Sequence, residues 1–447
     1  MDLDSVCLTL RSAQTRLARR NADEKNRALL AVASALDADR KAILEANLKD
    51  VVRERARGMK ESLIARLSLS DKGLDDIISS LKVLVEQTDP IGQVIGGWKV
   101  PNGLEIRQVR VPLGVAAVIY ESRPNVTVDV FALAYKSANA VLLRGSSSAL
   151  DSNRAIVKAI KAGLAASGGE VDAVALCDAD TGTSASSSAD SGKGDTHADV
   201  DWILNAVGKI DIVLPRGGAA LIKRVVENAR IPVIETGSGI CHVYVDNSAD
   251  AEMAVRIIEN SKIQKPGACN SLECLLVHRD RAKEILPRVK DVFVKYAEKT
   301  GRSGGVELRC DERSYEILAS VGSASGAASN IVRAGADDWG FEFLDYILAV
   351  KVVDSIEEAI AHINKYNTKH SDTVVTECRA MSRLFQSEVD AACVYVNASI
   401  RFTDGGEFGL GAELGISTQK LHARGPMGLT ALTTYKYLID GEGQVRP

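Results

Sequence analysis

The sequence lacks the features that would place it with nucleic-acid-binding or membrane proteins. Its 447 residues carry a net charge of -4, with a sequence pI of about 6.0, and no basic cluster stands out. We therefore expect no nucleic-acid partner. The longest apolar stretches, such as Val111–Ile119, are too short to cross a bilayer, and Pro112 and Gly114 interrupt this one. We expect no membrane partner either.

The first residues lack the basic start and apolar core that are typical of a signal peptide. Met1-Asp2-Leu3-Asp4 is acidic and leads directly into a helical pattern. The sequence therefore predicts a cytoplasmic protein.

Cysteine and histidine patterns typical of metal sites are also missing. The eight cysteines are spread along the chain, at Cys7, Cys177, Cys241, Cys269, Cys274, Cys310, Cys378 and Cys393. No two lie two to four residues apart, and the six histidines form no H-E-x-x-H pattern. Disulfides are not expected in a large cytosolic chain. The spacing therefore predicts no metal site.

No intact G-x-G-x-x-G motif follows a strand, so the ordinary dinucleotide fingerprint is absent. Two other strand-to-turn junctions have phosphate-binding character. Arg144, Gly145 and Ser146 follow one predicted strand, and Gly217 with Gly218 opens a helix after another. Helix N-termini bind phosphate through free amides, and arginine adds charge-assisted contacts. Either turn alone could be ordinary, but two in consecutive units favour a nucleotide site.

The first ninety residues have helical periodicity, with Ser70 as a candidate N-cap for a helix that ends before Pro90. Residues 91–111 differ, because two strand-like runs flank Asn102-Gly103, a strong hairpin signal. A long hairpin outside the main sheet often pairs with another subunit, although a solvent-facing flap has the same pattern.

From Val111 onward, apolar strands alternate with amphipathic helices, which predicts an α/β fold with parallel sheets. The first set of predicted strands is Leu113–Tyr120, Ala140–Leu143, Val171–Leu176, Ile210–Leu214, Ile231–Ile234 and His242–Val245. A second set begins after Cys269, at Cys274–Val277, Val306–Leu308, Tyr346–Val353, Thr373–Val375 and Cys393–Val396. Residues 181–199 contain no large apolar side chain, which predicts a flexible surface insertion.

The most informative local feature is the run Lys265-Pro266-Gly267-Ala268-Cys269-Asn270 between a helical run and a strand. A thiol on a Pro-Gly turn is well placed to act as an exposed nucleophile. The alternative is a buried core thiol, the usual environment of cysteine.

Five segments together resemble γ-glutamyl phosphate reductases, a family of the aldehyde dehydrogenase superfamily that is also called glutamate-5-semialdehyde dehydrogenase. These segments are Leu113–Asn125, Val213–Ala219, Glu235–His242, Pro266–Asn270 and Arg401–Leu421. The resemblance covers nearly the whole chain. It implies an aldehyde dehydrogenase-like α/β fold with two doubly wound domains and an oligomerisation hairpin.

The resemblance also implies a division of the chain into domains. Residues 1–90 and 112–265 would form the nucleotide-binding domain, with the insertion at 181–199, and residues 266–400 the catalytic domain. Residues 91–111 and the C-terminal part of 425–447 would form the oligomerisation element. Residues 401–424 would return to the cleft and the nucleotide domain. The implied oligomeric state is a homo-oligomer, either a dimer or a tetramer. Whether a glutamate kinase is a further partner stays open.

The implied reaction is the NADPH-dependent reduction of L-glutamate 5-phosphate to L-glutamate 5-semialdehyde with release of phosphate, the second step of proline biosynthesis. Cys269 would form a thioester with the γ-carbonyl group. An ordinary hydrolytic aldehyde dehydrogenase is the alternative enzyme. Glu235-Thr236-Gly237-Ser238-Gly239 departs from the Glu-Leu-Gly-Gly-Lys string of that group.

Further site residues are implied by the same resemblance. The second oxyanion donor would be Ser122 or Asn125, with a helix cap as the competing role of Asn125. Glu235 would be either a proton shuttle or a structural carboxylate. The substrate-binding candidates are Arg123, Asn125 and Arg401. The candidates for binding NADPH/NADP are Arg144, Gly145, Ser146, Gly217, Gly218, Glu407 and Phe408.

Overall fold

The structure is a computed structural model that describes residues 2–177, 198–302, 305–320 and 331–446. The chain divides into two units. The first contains Met1–Thr236, Gly409–Gly415 and Pro426–Pro447, and the second contains Gly237–Phe408 and Ile416–Gly425. The predicted insertion lies outside the described residues from 181 to 197, whereas Ala198 and Asp199 belong to a helix rather than to a flexible loop.

The α-helices within the described residues are α1 (Leu3–Leu17), α2 (Ala22–Ala38), α3 (Arg40–Ala56), α4 (Glu61–Leu67), α5 (Asp71–Glu86), α6 (Pro124–Lys136), α7 (Leu150–Ser167), α8 (Ala198–Leu204), α9 (Ala219–Asn228), α10 (Ala251–Ile263), α11 (Arg279–Thr300), α12 (Glu312–Ser320), α13 (Ile356–Tyr366) and α14 (Arg379–Glu388). None of them has both the length and the apolar character needed to span a lipid bilayer.

The β-strands within the same residues are β1 (Val94–Lys99), β2 (Glu105–Pro112), β3 (Val115–Tyr120), β4 (Ala140–Gly145), β5 (Val174–Leu176), β6 (Ile212–Arg216), β7 (Cys241–Val245), β8 (Leu272–His278), β9 (Glu307–Cys310), β10 (Ile331–Arg333), β11 (Ile347–Val353), β12 (Ser371–Val375), β13 (Cys393–Val396), β14 (Ile416–Ser417), β15 (Gly425–Pro426) and β16 (Thr433–Asp440).

The first unit contains a parallel sheet of four strands in the order β5-β4-β3-β6. Every residue of β3 is buried, as expected of a central strand of a parallel sheet. The N-terminal helices have side-chain caps. Asn21 and Glu24 form a capping box on α2, and the predicted Ser70 cap of α5 is confirmed, because its hydroxyl accepts from the Gly73 amide. Leu74, Ile77 and Leu81 form part of the buried face of α5.

The predicted hairpin is confirmed. Strands β1 and β2 pair antiparallel, and the C-terminal strand β16 pairs with the other edge of β2. Trp98 on β1 meets Tyr437 on β16 edge-on, with ring centroids 6.1 Å apart. The hairpin and part of the C-terminal segment therefore form one three-stranded sheet.

The second unit is built on a parallel sheet of seven strands in the order β10-β9-β11-β8-β7-β12-β13. One buried cluster packs Val243 and Leu275 with α10 and α11, while another packs Tyr244 and Leu276 with α13 and α14. Because side chains of a strand alternate between its faces, helices cover both faces of this sheet. The doubly wound architecture predicted for this part of the chain is therefore confirmed.

Two strand predictions are wrong. The sequence pattern places His242–Val245 with the first set of strands, but β7 pairs with β8 and β12 of the second sheet. The two units accordingly divide between Thr236 and Gly237. Likewise, Ile231–Ile234 contributes a single bridge, from Val233 to Val213, instead of a strand. A short apolar run such as His242–Val245 has the same sequence pattern in either sheet, so the strands with which it pairs decide which sheet it joins.

Candidate active site

The predicted nucleophile, Cys269, lies on a turn between the end of α10 and the start of β8. Amide hydrogen bonds from Ala268 to Lys265 (3.1 Å) and from Ser271 to Ala268 (2.9 Å) shape the turn. Cys269 is half-buried and Lys265 is exposed. The turn thus brings a thiol to the surface of the second unit.

Most other cysteines lie in settings that oppose ionisation. Cys378 is half-buried, and the remaining six are buried. Burial raises the pKa of Cys310 to about 12 and that of Cys7 to about 11. Because the thiolate is the nucleophilic form, buried thiols of this kind are inert at neutral pH. Exposure therefore separates Cys269 from most of the other thiols.

The backbone of Cys269 is held by a segment from the neighbouring strand. A Cβ at Gly239 would lie 1.4 Å from the Cys269 carbonyl oxygen, so only glycine allows this approach. The Cys241 thiol donates to the same carbonyl at 3.3 Å, and the Gly239 amide donates to Glu342 Oε1 at 2.6 Å. The position of the Cys269 backbone therefore depends on Gly239 having no side chain.

We expect Gly239→Ala to lower kcat/KM about 100-fold, because small displacements of a reacting group have effects of that size. The added methyl group must push the Cys269 backbone aside, which also destabilises the fold by about 1–3 kcal/mol. Urea unfolding and steady-state rates measure both effects. Gly267→Ala is the control for stability, since its Cβ would meet its nearest neighbour at 3.8 Å, an ordinary contact. Equal stability of the two variants would contradict the prediction.

Arg401 and Cys269 are brought close in the second unit. Asn270 joins their segments, because its Nδ2 donates to the carbonyls of Thr403 (2.9 Å) and Arg401 (3.2 Å). Burial lowers the pKa of Arg401, and negative charge on Cys269 acts in the opposite sense. The Arg401 Nε atom donates to Gln264 at 2.8 Å. A half-buried guanidinium near the thiol is suited to an anionic substrate group.

A buried ion pair joins the two ends of the predicted nucleophile turn, residues 264–271 around Cys269. Lys262, near the end of α10, donates to Glu273, the second residue of β8, at 2.9 Å, and neither side chain is exposed. Glu273 also accepts from the Leu344 amide at 3.2 Å. The pair fixes the distance between the helix and the strand from which the turn projects.

In the first unit, three hydroxyl groups link Ser122 to Ser146. The Oγ atoms of Ser122 and Ser148 are 2.5 Å apart, and those of Ser148 and Ser146 are 2.8 Å apart. Ser122 and Ser146 are half-buried and Ser148 is buried. The structure therefore brings a predicted oxyanion donor and a predicted cofactor ligand into one cluster.

Arg123 and Asn125 begin helix α6 and are exposed. The N-cap is Arg123, with Pro124 as the first helical residue, so the competing role of Asn125 as the cap is wrong. The Asn125 amide instead donates to Asp129 at 3.3 Å. Burial raises the pKa of Asp129 to about 6, against the opposing effects of Asn125 and Arg216.

Two of the predicted cofactor ligands bind carboxylates of the first unit. Arg144 pairs with Asp199 through two hydrogen bonds of 2.8 and 3.2 Å. At the start of α9, the Gly218 amide donates to Glu121 Oε1 at 3.0 Å. Gly145 is closely packed, since a Cβ there would lie 2.2 Å from Asn153 Nδ2.

The remaining predicted residues divide between the units. Gly217 is exposed in the first unit, and a Cβ there would lie 2.6 Å from the Glu121 carboxyl carbon. Glu235 is half-buried in the same unit. Glu407 and Phe408 are exposed in the second unit, where the Phe408 amide donates to the Asp404 carbonyl at 2.9 Å.

Comparison with known proteins identifies the family. No family model matches the sequence. The chain is 56% identical over 442 residues to a γ-glutamyl phosphate reductase of Treponema pallidum, and the match covers 99% of each chain. The chain belongs to the γ-glutamyl phosphate reductase family. The predicted family is therefore confirmed.

Solved structures agree with this assignment. The crystal structure of γ-glutamyl phosphate reductase from Thermotoga maritima matches with a TM-score of 0.89 and 45% identity, covering 100% of both chains. A probable aldehyde dehydrogenase from Listeria monocytogenes matches with a TM-score of 0.66 and 16% identity over 99% of this chain and 96% of the other. The second match concerns the fold alone, and it confirms the predicted aldehyde dehydrogenase-like architecture.

Several residues around Cys269 in this γ-glutamyl phosphate reductase family member were not predicted from the sequence. Glu342 accepts from Gly239, and burial raises its pKa, so it is a candidate proton carrier. The anchoring role of Asn270 and the Lys262–Glu273 pair were missed as well. Lys262 and Glu273 do flank the Pro-Gly turn, a local signal that could have found them. No local sequence signal points to Glu342, because it comes from a segment far from the Pro-Gly turn in the sequence.

Proposed function

We propose that this chain reduces L-glutamate 5-phosphate to L-glutamate 5-semialdehyde and releases phosphate, the second step of proline biosynthesis from glutamate. The observation that carries the proposal is the half-buried Cys269 thiol on a turn whose backbone is fixed by Gly239. Membership of the γ-glutamyl phosphate reductase family supports the substrate and the product.

The chain's own residues account for forming and releasing an acyl group. The Cys269 thiolate attacks the γ-carbonyl carbon, a C–S bond forms, and the C–O bond to phosphate breaks with its electron pair leaving on phosphate. NADPH, when bound, supplies the hydride that reduces the acyl group. Breaking of the C–S bond then releases the semialdehyde and regenerates the thiolate.

Charged side chains near the thiol are proposed to bind the substrate and to carry protons. Arg401 is proposed to bind an anionic group of the substrate, because a guanidinium binds oxyanions through two hydrogen bonds. Glu342, whose pKa burial raises, is proposed to carry protons. In the first unit, Arg123 and Asn125 are exposed candidates for the substrate carboxylate, and Ser122 is a candidate oxyanion donor. Glu235 stays either a proton shuttle or a structural carboxylate.

The start of helix α9 fits a phosphate of the proposed NADPH. The Gly218 amide already binds an anion there, the carboxylate of Glu121, which stands in for a phosphate oxygen. Glu121, Gly217 and Gly218 are exposed. Rotation of the Glu121 side chain would therefore let a dinucleotide phosphate take the place of its carboxylate. Arg144, Gly145 and Ser146 are proposed to bind the 2′-phosphate, while Glu407 and Phe408 are proposed to lie at the nicotinamide ribose.

We expect Arg144→Ala to raise KM for NADPH about 10- to 100-fold while KM for NADH stays unchanged, because hydrogen bonds to charged groups contribute about 1.5–3 kcal/mol. Steady-state rates with each cofactor measure the two KM values. Asp199→Asn is the matched control, since it removes the negative charge that pairs with Arg144 and leaves the guanidinium in place. A rise in KM that is equal for both cofactors would assign Arg144 a structural role.

The test of the proposed function is the dependence of the reverse reaction on phosphate. Glutamate 5-semialdehyde and NADP⁺ are supplied with and without inorganic phosphate, and nicotinamide absorbance is followed. Turnover that requires phosphate supports the acyl-phosphate reductase. Turnover without phosphate would instead assign a hydrolytic aldehyde dehydrogenase, and absence of turnover in both cases would overturn the proposal.

The three-stranded sheet is proposed to bind a second copy of the chain in a dimer or tetramer. Trp98, Tyr435, Tyr437 and Ile439 are each about half exposed on it, with 49%, 49%, 50% and 57% of their surface accessible. Clusters of exposed apolar side chains mark interaction surfaces. Within the described residues, β1 and β16 are also the two edges of this sheet, which offer unpaired backbone groups to another strand.

We expect Tyr437→Glu to reduce the molecular mass measured by light scattering to that of a smaller assembly, because it places a charge in the apolar surface. The control is Lys436→Glu, the adjacent residue, whose side chain points to the opposite face of β16. If both variants keep the wild-type mass, the interface lies elsewhere.

Location and a kinase partner are further parts of the proposal. We propose a cytoplasmic enzyme, in keeping with eight cysteines that form no disulfide within the described residues. A glutamate kinase that delivers the reactive acyl phosphate directly is proposed as a second partner. Sedimentation of the chain mixed with the purified kinase tests this association.

A further inference from the structure

Three potential metal ligands meet in the core of the second unit. They are His242 on β7, Cys274 on β8 and His362 on α13, all buried. One nitrogen or sulfur atom from each lies within 4.8 Å of the other two. The Cys274 Sγ atom is 3.7 Å from His362 Nε2.

The strand register explains why two of these residues are neighbours. His242 is paired with Cys274 on one side and with Asp372 on the other. Paired residues of neighbouring strands point to the same face of a sheet. A polar row therefore crosses three central strands on the face covered by α13 and α14, where Tyr244, Leu276 and other apolar side chains pack.

The surroundings of His242 resemble those of a metal-binding histidine. Its Nδ1 atom is 3.2 Å from Asp372 Oδ1, and that carboxylate also accepts from the His242 amide at 2.9 Å. Its Nε2 atom is buried and makes no hydrogen bond to any described residue. A buried polar atom without a partner is unfavourable. Metal-binding histidines characteristically donate their other ring nitrogen to a carboxylate.

We propose that His242, Cys274 and His362 bind a transition-metal cation with a filled d shell, Zn²⁺ or Cu⁺, and that Asp372 orients His242. Thiolate and imidazole ligands select such cations over Mg²⁺ or Ca²⁺. With bonds of about 2.1 Å to nitrogen and about 2.3 Å to sulfur, tetrahedral zinc holds these ligand atoms roughly 3.6 Å apart. The observed Cys274–His362 separation is close to that value.

Spacing along the sequence could not reveal this site. The prediction of no metal site depended on ligands close together in the chain, whereas these three come from separate elements. The site is structural in this proposal. It joins β7 and β8, the strands that begin just after Gly239 and Cys269, to the helix that covers them.

The test measures metal in the whole chain, purified after growth in medium supplemented with Zn²⁺, Cu⁺-generating copper salt or Co²⁺ in separate arms. Elemental analysis of the first two arms is expected to find one of these metals in near-stoichiometric amount, and this comparison distinguishes Zn²⁺ from Cu⁺. The cobalt-grown protein is expected to show a sulfur-to-cobalt charge-transfer band. Cys274→Ser should lose the band and at least about tenfold in metal affinity.

Matched variants separate this site from other thiols. Cys310→Ser, another buried cysteine of the same unit, and Cys269→Ser should keep the metal and the band. Asp372→Asn should weaken metal affinity about 10- to 100-fold. X-ray absorption of the wild-type chain, which requires no variant to fold, should report one sulfur and two imidazole ligands. A metal-free wild-type chain from every arm, or a band that survives Cys274→Ser, would overturn the proposal.

Discussion

Cys269→Ser is expected to lower phosphate-dependent reduction of NADP⁺ by at least about 10³-fold, because removal of a covalent nucleophile typically has effects of this size or larger. Serine keeps the shape of the side chain but replaces the thiol, whose thiolate form is the nucleophile, with a hydroxyl that is a much weaker nucleophile. Since Cys269 is half-buried on a turn, the substitution leaves the packing of the core untouched. The same assay that tests the proposed function measures the loss.

The matched control is Cys378→Ser, because Cys378 is the other half-buried cysteine. It should keep wild-type rates, and both variants should unfold at the wild-type urea concentration. If Cys269→Ser kept activity within tenfold of the wild type, the thioester route would be wrong even if phosphate dependence held. Equal losses in both variants would point to general damage by the substitutions.

A second measurement on the wild-type chain observes the intermediate directly. When glutamate 5-semialdehyde and NADP⁺ are supplied without phosphate, the acyl group has no phosphate acceptor and accumulates on Cys269. Intact-mass spectrometry should then detect an acyl adduct that is absent from Cys269→Ser. A burst of nicotinamide reduction should accompany the adduct, which is the kinetic signature of covalent catalysis.

The fold was largely predictable where local sequence decides local structure. Asn102-Gly103 predicted the hairpin, and Ser70 predicted the start of α5, because turns and caps depend on neighbouring residues. Membership of a sheet was not predictable in the same way. Whether His242–Val245 belongs to one sheet or the other depends on β8 and β12, which follow later in the chain.

The same distinction between local and long-range contacts applies to the residues of the candidate site. Cys269 could be found because a thiol on a Pro-Gly turn is a local pattern. Glu342 and the close approach of Gly239 could not, since each depends on a contact between segments far apart in sequence. The resemblance to a family supplied Arg401, and the structure adds that Asn270 holds its segment beside the nucleophile turn.

Lys262→Met is expected to destabilise the second unit by about 3–5 kcal/mol, because it leaves the Glu273 charge buried without its partner. Neither side chain of the pair is exposed, and their nitrogen and oxygen atoms are 2.9 Å apart. Burial lowers the pKa of Lys262 and raises that of Glu273 to about 7. Both pKa shifts have the same cause, because burial removes each charge from water. In each case the opposite charge of the partner counteracts the shift.

Urea unfolding should be followed by the fluorescence of Trp339, the only tryptophan of the second unit, after Trp98 and Trp202 are replaced by phenylalanine. This background reports on one unit and permits a two-state treatment of its transition. The control is Glu252→Gln, which breaks the 3.0 Å pair with Arg288, where 74% of the Glu252 side chain is exposed. Exposed pairs contribute less than about 1 kcal/mol, so this variant should unfold like the wild type.

The double variant Lys262→Met with Glu273→Leu tests the explanation. Removing both charges eliminates the unpaired carboxylate, and apolar replacements of buried ion pairs are often neutral or stabilising. The double variant should therefore regain most of the stability lost in Lys262→Met, although the Leu344 amide loses its acceptor. If it recovered stability but not kcat, the ion pair would be needed to position the turn that carries Cys269. If Lys262→Met alone lost less than about 1 kcal/mol, water would have to reach the pair in solution.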